Sequence, residues 1–216
     1  MQYFSQIEQD KIINEFFNEK TNGIFIDIGA ADGIELNNTY FFEKFKGWNG
    51  ICIEPSPSYF LELQKNRNCI LENCAISDIM EENIDFCEIR GYASMLSGCL
   101  AHYDERHVDR IDKEIKIYGG EKIVSKVKCK KLQDILDKNN ISIIDYCSID
   151  VEGAELSILK TIDFSKTTIL SFSIENNYQT SEVYDFLKDN YILYKKLEFD
   201  DIYINKNDRY GKFFNY

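Results

Sequence analysis

The chain has 216 residues, of which 44% are hydrophobic and 14% aromatic, so it is long enough to bury a core without disulfides. Its formal net charge of −12 disfavours a nucleic-acid partner, because such binding relies on Lys and Arg to neutralise phosphates. The sequence has no basic leader before an apolar run, no stretch of 18 apolar residues and no cysteines at metal-type spacing, which predicts a reduced, cytoplasmic protein without a membrane span.

The first elements surround a glycine-rich loop. A helix is expected within residues 1–20, where apolar side chains recur on one face. The apolar run Ile24–Ile28 is too short for an ordinary helix and ends in glycines, so it predicts a buried parallel strand that opens into a tight turn. A helix over 36–46 and a second strand over 50–54 follow.

The turn after the first strand has the composition of a nucleotide-binding loop. Gly29, Ala31 and Gly33 leave the backbone bare where a ligand must approach closely, and Asp27 lies near the end of the strand. Glu54 ends the second strand about 20 positions after Gly33, where nucleotide-binding α/β units place an acid for the ribose hydroxyls. These residues predict a site for an adenosine-type cofactor.

The loop suits S-adenosylmethionine (SAM) better than a dinucleotide. A dinucleotide fold uses GxGxxG, whereas Ile34 takes the place of the third glycine here. Asp27 and Asp32 disfavour a phosphate and suit a positively charged ligand. SAM has an ammonium, a sulfonium, a ribose for Glu54 and no phosphate. An NAD-type site, or a loop whose glycines serve only as turns, is the alternative.

The middle of the chain contains an irregular, charged insertion. Before and after it, the pattern predicts one helix and three strands, at 58–67, 69–75, 84–89 and 123–129. Insertions of this length between core elements usually cover a site. We therefore expect one domain, residues 1–216, with a substrate-covering insertion at about 90–121. A surface excursion without chemical role is the alternative.

The second half alternates strands with helices and closes with two adjacent strands. The predicted helices are 132–138, 154–160 and 180–189, and the predicted strands are 143–149, 168–174, 191–195 and 202–204. Alternation predicts an α/β fold with a mostly parallel sheet and helices on both faces. The closing pair of strands predicts that the last strand is antiparallel.

Polar side chains follow two neighbouring strands of this half. Asp150 comes directly after strand 143–149, and strand alternation places Glu152 on the same side. Glu175, Asn176 and Asn177 lie at the end of the next strand. Since ligands bind at the carboxyl edge of open α/β sheets, we expect these side chains to converge on a ligand.

Three interpretations of these side chains remain open. Asp150, Glu175 and Asn176 are oxygen donors that suit Mg²⁺ or Mn²⁺, which would hold two sugar hydroxyls and lower the pKa of one. Without a metal, Glu152 or Asp150 would act as general base while the others hold substrate hydroxyls. Both interpretations predict a polyhydroxylated acceptor. The third is that the acids only cap helices and hydrate the sheet edge.

The insertion adds further candidates. His102 is a candidate base for the acceptor hydroxyl, because the unperturbed pKa of histidine is closest to neutrality, and His107 is a weaker candidate for the same role. The alternative is a solvated helical face with charge pairs three or four residues apart. Tyr92 and Ser94 are candidate acceptor contacts.

Several short motifs follow one another along nearly the whole chain: SQIEQD, FIDIGAADGIELNNTYFFEK, GWNGICIEPSP, AISD, SIDVEGAELSILK, IEN and DDIYI. With these motifs the sequence resembles the FkbM-type methyltransferases. The resemblance implies a Rossmann-like class I methyltransferase fold and SAM-dependent O-methylation, of the kind found in glycan, lipid-sugar or natural-product tailoring.

The resemblance also implies roles for individual residues. The methionine end of SAM would be lined by Asp27, Gly29, Ala31 and Asp32, the ribose would be held by Glu54, and the adenine would lie near Ser77 and Asp78. The acids after the later strands also resemble those of the TylF group of metal-dependent sugar O-methyltransferases. Glu152 and Asn176 depart from that group's pattern of an Asp-x-Asp followed by an acidic pair.

The sequence therefore predicts transfer of a methyl group from SAM to a hydroxyl of a sugar or glycan, with Asp150, Glu152 and His102 as catalytic candidates. One alternative is a non-catalytic SAM- or nucleotide-binding Rossmann module, and another is a methyltransferase acting on a non-sugar small molecule. Methylation of nucleic acid is disfavoured by the net charge and by the absence of a (D/N)PP(Y/F) motif after the fourth strand.

Overall fold

The structure is a computed structural model that describes residues 2–207. Residue 1 and residues 208–216 of the expected domain lie outside this range. The helices are α1 (Gln9–Phe16), α2 (Tyr40–Lys46), α3 (Pro57–Asn66), α4 (Glu105–Tyr118), α5 (Leu132–Lys138), α6 (Glu155–Leu159) and α7 (Glu182–Leu187), with 3₁₀ turns at Ser94–Leu96 and Leu100–His102. Within the described range, no helix has the length and apolarity needed to cross a bilayer.

The strands form two sheets. They are β1 (Ile24–Ile28), β2 (Asn49–Ile53), β3 (Ile70–Glu72), β4 (Ala75–Ile76), β5 (Asn83–Arg90), β6 (Gly98–Cys99), β7 (Glu121–Lys130), β8 (Ile143–Ile149), β9 (Thr168–Glu175), β10 (Tyr191–Lys196) and β11 (Asp200–Asn205). The main sheet has the order β10-β11-β9-β8-β1-β2-β3, and the second sheet has the order β4-β7-β5-β6.

The main sheet is largely parallel but mixed. Strands β3, β2, β1, β8 and β9 run in parallel, and β11 runs antiparallel to both β9 and β10. The predicted α/β class with an antiparallel last strand is confirmed at this level. Because β1 lies between β2 and β8, the carboxyl ends of the strands that carry the predicted site residues meet at one edge.

Helices cover both faces of the main sheet. Phe25 of β1 packs with the apolar side chains of α1, α2 and α3 on one face. Ile26 and Ile28 pack with those of α5, α6 and α7 on the other. This division follows from strand alternation, and it explains why these strands are apolar on both sides. Because helices cover both faces, the edge at the strand ends is the part of the sheet where polar side chains can meet a ligand.

The chain leaves the main sheet earlier than the sequence predicts. The single strand expected over 69–75 is divided between β3 of the main sheet and β4 of the second sheet. Asn73 lies at the division, and its Nδ2 donates to the carbonyl oxygen of Glu54 at 2.7 Å. The insertion at 90–121, expected to be irregular, therefore begins and ends at strands of the second sheet, β5 and β7.

The helix after the glycine-rich turn begins at Tyr40, four residues later than predicted. Leu36 has a left-handed backbone (φ 53°), which a helix cannot accommodate. The Oδ1 atom of Asn37 then accepts from the backbone N–H groups of Thr39 and Tyr40 at 3.0 and 2.8 Å. Thr39 is the N-cap residue of α2, and the helix ends at Gly47, whose left-handed backbone (φ 65°) is typical of a helix stop.

Candidate active site

A cavity of about 400 Å³ lies at the carboxyl edge of the main sheet. Its walls come from the glycine loop (residues 29–39), the ends of β2, β8 and β9, the second sheet, and the insertion at 90–121. The predicted site residues that line it are Asp27, Gly29, Ala31, Asp32, Glu54, Asp150, Glu152 and Glu175. Those that lie outside its lining are Gly33, Ser77, Asp78, His102 and Asn176.

Asp27 is bonded to the glycine loop. Its Oδ2 atom accepts from Asn37 Nδ2 at 2.8 Å and from Thr39 Oγ1 at 2.7 Å, and Arg67 Nη1 lies 3.8 Å away. Burial raises the pKa of Asp27, and the positive charge of Arg67 opposes that rise. One carboxylate oxygen of Asp27 therefore fixes the loop, while the residue still lines the cavity.

Arg67 connects α3 to the glycine loop from a fully buried position. Its Nη1 donates to the carbonyl of Gly33 at 3.2 Å and to Asn37 Oδ1 at 3.0 Å, and its Nη2 donates to Thr39 Oγ1 at 2.9 Å. Its Nε donates to Glu43 Oε2 at 2.6 Å. Sequence reasoning missed Arg67 because nothing in the neighbouring residues distinguishes it from a surface arginine at the end of a helix.

Glu54 lies across the loop from Asp27 and is buried. Its Oε2 accepts from the backbone N–H of Ala31 at 2.9 Å, and its Oε1 accepts from that of Ser56 at 2.7 Å. Burial raises the pKa of Glu54 to about 7, although the two N–H groups oppose the rise. Each carboxylate oxygen has a second lone pair, so Glu54 is able to accept from two ligand hydroxyls.

The two glycines of the loop serve different purposes. Gly29 has φ 86°, and a Cβ atom there would lie 1.8 Å from the carbonyl oxygen of Asp150, so only glycine fits between β1 and the end of β8. Gly33 has φ 82°, and its Cβ would meet the side chains of Leu63 and Arg67. Gly33 therefore permits close packing of the loop on α3 and does not contact the cavity.

Asp32 closes the turn of the glycine loop. Its Oδ1 accepts from the backbone N–H groups of Ile34 and Glu35 at 2.8 and 2.9 Å. Its own carbonyl oxygen accepts from Asn66 Nδ2 at 2.8 Å. These bonds form the kind of turn that Asp favours, and they place a carboxylate at the rim of the cavity with no lysine or arginine paired to it within the described residues.

The acidic cluster, defined as Asp150, Glu152, Glu155 and Glu175, lies opposite the glycine loop. Strand β8 ends at Ile149, and Glu152 has a left-handed backbone (φ 60°), so a turn and not strand alternation places it. The backbone N–H of Glu152 donates to Glu175 Oε2 at 3.0 Å. Asn177 Nδ2 donates to Glu152 Oε2 at 3.3 Å and also to Glu175 Oε1.

All four carboxyl groups of the acidic cluster have raised pKa values. Burial raises the pKa of Asp150 and that of Glu175 well above the usual range, and neighbouring carboxylates add to both shifts. Burial raises the pKa of Glu152 to about 7, although Arg110 opposes this, and burial also raises the pKa of Glu155. A carboxyl group with a pKa near 7, as at Glu152, exchanges protons near neutral pH, as acid–base chemistry requires.

The predicted metal ligands are not all brought together. Asn176 Nδ2 donates to the carbonyl of Thr180 at 3.1 Å and to Asp201 Oδ2 at 2.9 Å, and its Oδ1 accepts from the N–H of Thr180. Both ends of this amide are therefore used away from Asp150 and Glu175, and Asn177 takes its place beside the acids. In residues 2–207, no three His, Cys, Asp or Glu side chains are grouped so as to hold a metal ion. The donor set does not fit Mg²⁺ or Mn²⁺.

His102 belongs to a hydrogen-bonded group outside the cavity lining. Its Nε2 lies 3.0 Å from Ser77 Oγ, which lies 3.0 Å from Ser157 Oγ. Ser157 Oγ donates to Asp78 Oδ1 at 2.6 Å. The predicted adenine contacts Ser77 and Asp78 are thus occupied with each other and with His102. The nearby cavity wall is formed mainly by small or apolar residues: Cys74, Ala75, Ile76, Phe86 and Cys99.

His107, and not His102, reaches the acidic cluster. It lies on α4 with only 1% of its surface exposed, and its Nδ1 is 3.2 Å from Glu152 Oε2. The insertion also contributes Tyr92 and Ser94 to the cavity wall, as the candidate acceptor contacts require. Tyr92 packs on Tyr118 with ring centroids 4.2 Å apart, so it presents an exposed, flat ring.

Comparison with known proteins gives the class of protein, a methyltransferase, and its family. The pattern of the methyltransferase FkbM domain matches residues 27–196. The chain belongs to this family, as its motifs predict. No curated protein matches the chain.

Two solved structures are similar in fold. The methyltransferase FkbM from Methylobacillus flagellatus KT has 16% sequence identity and a TM-score of 0.46, over 85% of this chain and 43% of that one. A human methyltransferase 10 domain containing protein has 13% identity and a TM-score of 0.45, over 93% of this chain and 82% of that one. The present chain thus spans less than half the length of the Methylobacillus protein.

Arg67→Met tests whether the buried charge supports the glycine loop. We expect the free energy of unfolding to fall by about 3–5 kcal/mol, because the substitution leaves Asp27 buried without its positive partner. The matched control is Arg90→Met, which removes a 56%-exposed arginine paired with Glu88 and should cost about 0–1 kcal/mol. Urea denaturation measures both, and equal losses would contradict the assignment.

Proposed function

We propose that the chain transfers a methyl group from SAM to a hydroxyl group of a sugar or glycan. The observation that carries this proposal is the single cavity in which the glycine loop and Glu54 face the acidic cluster. A cofactor site and a proton-accepting site in one enclosure are what methyl transfer to a hydroxyl requires.

The charges of the glycine loop support SAM as the cofactor. Asp27, Asp32 and Glu54 are acidic, and Arg110 is the one lysine or arginine among the described residues that line the cavity. Such a lining repels a pyrophosphate and favours a ligand with an ammonium and a sulfonium. Glu54 would accept from the ribose hydroxyls, and the bare backbone at Gly29 would admit the methionine end.

The acidic cluster supports a hydroxyl acceptor. SAM supplies an already activated methyl group, so the protein has to align the acceptor oxygen with it, exclude water and remove the hydroxyl proton. Glu152 lines the cavity and would take this proton as the new oxygen–carbon bond forms and the carbon–sulfur bond breaks. Asp150, beside it, would accept a hydrogen bond from a second hydroxyl.

The remaining wall supports a sugar. Carboxyl groups from two strand ends are able to accept from several hydroxyls at once, and the exposed ring of Tyr92 offers a flat apolar surface on which the C–H face of a sugar ring would pack. Ser94 Oγ, which accepts from Tyr59 Oη at 2.8 Å, has its own proton left to donate.

The cofactor assignment is tested by calorimetric titration with S-adenosylhomocysteine and, separately, with NAD. We expect saturable binding of S-adenosylhomocysteine and no heat with NAD. Glu54→Gln should weaken that binding by at least tenfold, because a neutral amide accepts hydrogen bonds more weakly and cannot satisfy both backbone N–H groups. Glu81→Gln on the exposed surface is the control. Binding of NAD in place of S-adenosylhomocysteine would overturn the assignment.

The acid–base assignment is tested with Glu152→Gln in an acceptor screen over neutral sugars and other small hydroxyl compounds, read by transfer of isotopically labelled methyl. We expect S-adenosylhomocysteine affinity to stay within about twofold and turnover to fall roughly 100- to 10,000-fold, the usual contribution of a general base. Full activity of the variant would exclude Glu152 as the base. Cofactor binding without any product from wild-type protein would favour a non-catalytic module.

A further inference from the structure

His107 of α4 contacts the catalytic candidate Glu152 in the interior of the protein. Resting on the proposed function, we infer that His107 is a positioning residue: it shares one proton with Oε2 of Glu152 and so directs the other carboxylate oxygen, Oε1, at the acceptor hydroxyl. The insertion at 90–121 would then complete the proton-accepting group as well as cover the cavity.

The orientation of the His107 ring is fixed by its surroundings. Its Nε2 lies 3.0 Å from the carbonyl oxygen of Leu96. Because a carbonyl only accepts, Nε2 carries a hydrogen and donates it. The ring of Tyr103 packs against the imidazole with centroids 4.6 Å apart. Nδ1 is therefore the atom that remains to face Glu152.

The short distance from Nδ1 to Glu152 favours a proton between them. The two atoms are 3.2 Å apart, which is an ion-pair distance, and Nδ1 has no hydrogen-bonding partner among residues 2–207, Glu152 included. Two lone pairs facing each other at this distance, away from water, would repel. One proton removes the repulsion, as either imidazolium beside carboxylate or imidazole beside carboxylic acid. In both forms the pair is neutral overall, which suits its burial.

The proton affinities of the two groups converge. Burial lowers the pKa of His107, and Arg110 lowers it further, whereas the Leu96 carbonyl and Asp104 oppose this. Burial raises the pKa of Glu152 to about 7. Each shift reduces the ordinary difference between a histidine and a glutamate, which favours a proton held between the two groups at this short distance.

The contacts of Glu152 leave one oxygen for the acceptor. His107 and Asn177 both approach Oε2, at 3.2 and 3.3 Å, and Oε1 has no hydrogen-bonding partner within the described residues. During transfer the acceptor oxygen forms its bond to the methyl carbon, the sulfur keeps the electron pair of the broken bond, and the hydroxyl proton goes to Oε1. The pair then holds two protons, as imidazolium beside a neutral carboxyl.

The first experiment needs no acceptor. The chain has only two histidines, so ¹⁵N-labelled His102→Gln protein gives ring signals from His107 alone. We expect the Nδ1 signal to show a shared proton and to shift to that of an unbonded imidazole nitrogen in the Glu152→Ala background. A signal that does not change with Glu152→Ala would overturn the inference, whatever the cofactor.

The second experiment separates proton sharing from packing. His107→Asn retains a hydrogen-bonding amide near the place of Nδ1 but cannot exchange a proton, and His107→Ala leaves space for free imidazole. We expect kcat to fall roughly 10- to 100-fold in both, with KM for SAM and affinity for S-adenosylhomocysteine within about twofold. Added imidazole should restore part of the activity of His107→Ala but none of that of Glu152→Gln.

Lys113→Ala, on the exposed side of α4, is the control for substitutions in this helix. Wild-type kcat in His107→Asn, or a loss in His107→Ala that imidazole does not relieve, would overturn the inference and leave His107 as a packing residue. Failure of the proposed function is distinguishable, because wild-type protein would then bind no S-adenosylhomocysteine or transfer no methyl group.

Discussion

The site depends on a buried ion pair beneath the glycine loop. Asp27 and Arg67 are both withdrawn from water, and such a pair is tolerated only when each partner is satisfied by further hydrogen bonds. Asn37 and Thr39 supply these bonds, and both belong to the loop itself. The backbone that must admit a cofactor is therefore held by side-chain charges, while Gly29 provides the space against the end of β8.

The opposite wall of the cavity is formed by the acidic cluster. Four carboxyl groups are withdrawn from water here, and burial is the main cause of their raised pKa values, to which neighbouring carboxylates add at Asp150 and Glu175. In the proposed reaction this arrangement gives Glu152 a pKa near 7, and the histidine that α4 brings to Glu152 adds a second proton position. In the proposed reaction, the two walls divide the chemistry between cofactor binding and proton removal.

The sequence predicts what local periodicity and spacing determine. Strand β8 and helix α5 lie where the pattern places them, and Glu54 lies across the loop from Asp27 as its spacing implies. Local patterns do not predict contacts between residues that are distant in the sequence. No such pattern marks Arg67 as buried, and none indicates that His107 and not His102 contacts the acidic cluster. Strand alternation also stops being informative at a turn, so the positions of Glu152 and of the amide beside it required the folded chain.

The most direct test of this account is a crystal structure of the protein with S-adenosylhomocysteine. The account predicts that the ribose hydroxyls donate to Glu54, that the homocysteine end lies on the backbone at Gly29, and that the sulfur faces the acidic cluster across the cavity. The ligand should leave an open space next to Glu152 Oε1 for an acceptor hydroxyl. Binding outside this cavity, or with the sulfur turned away from Glu152, would contradict the account.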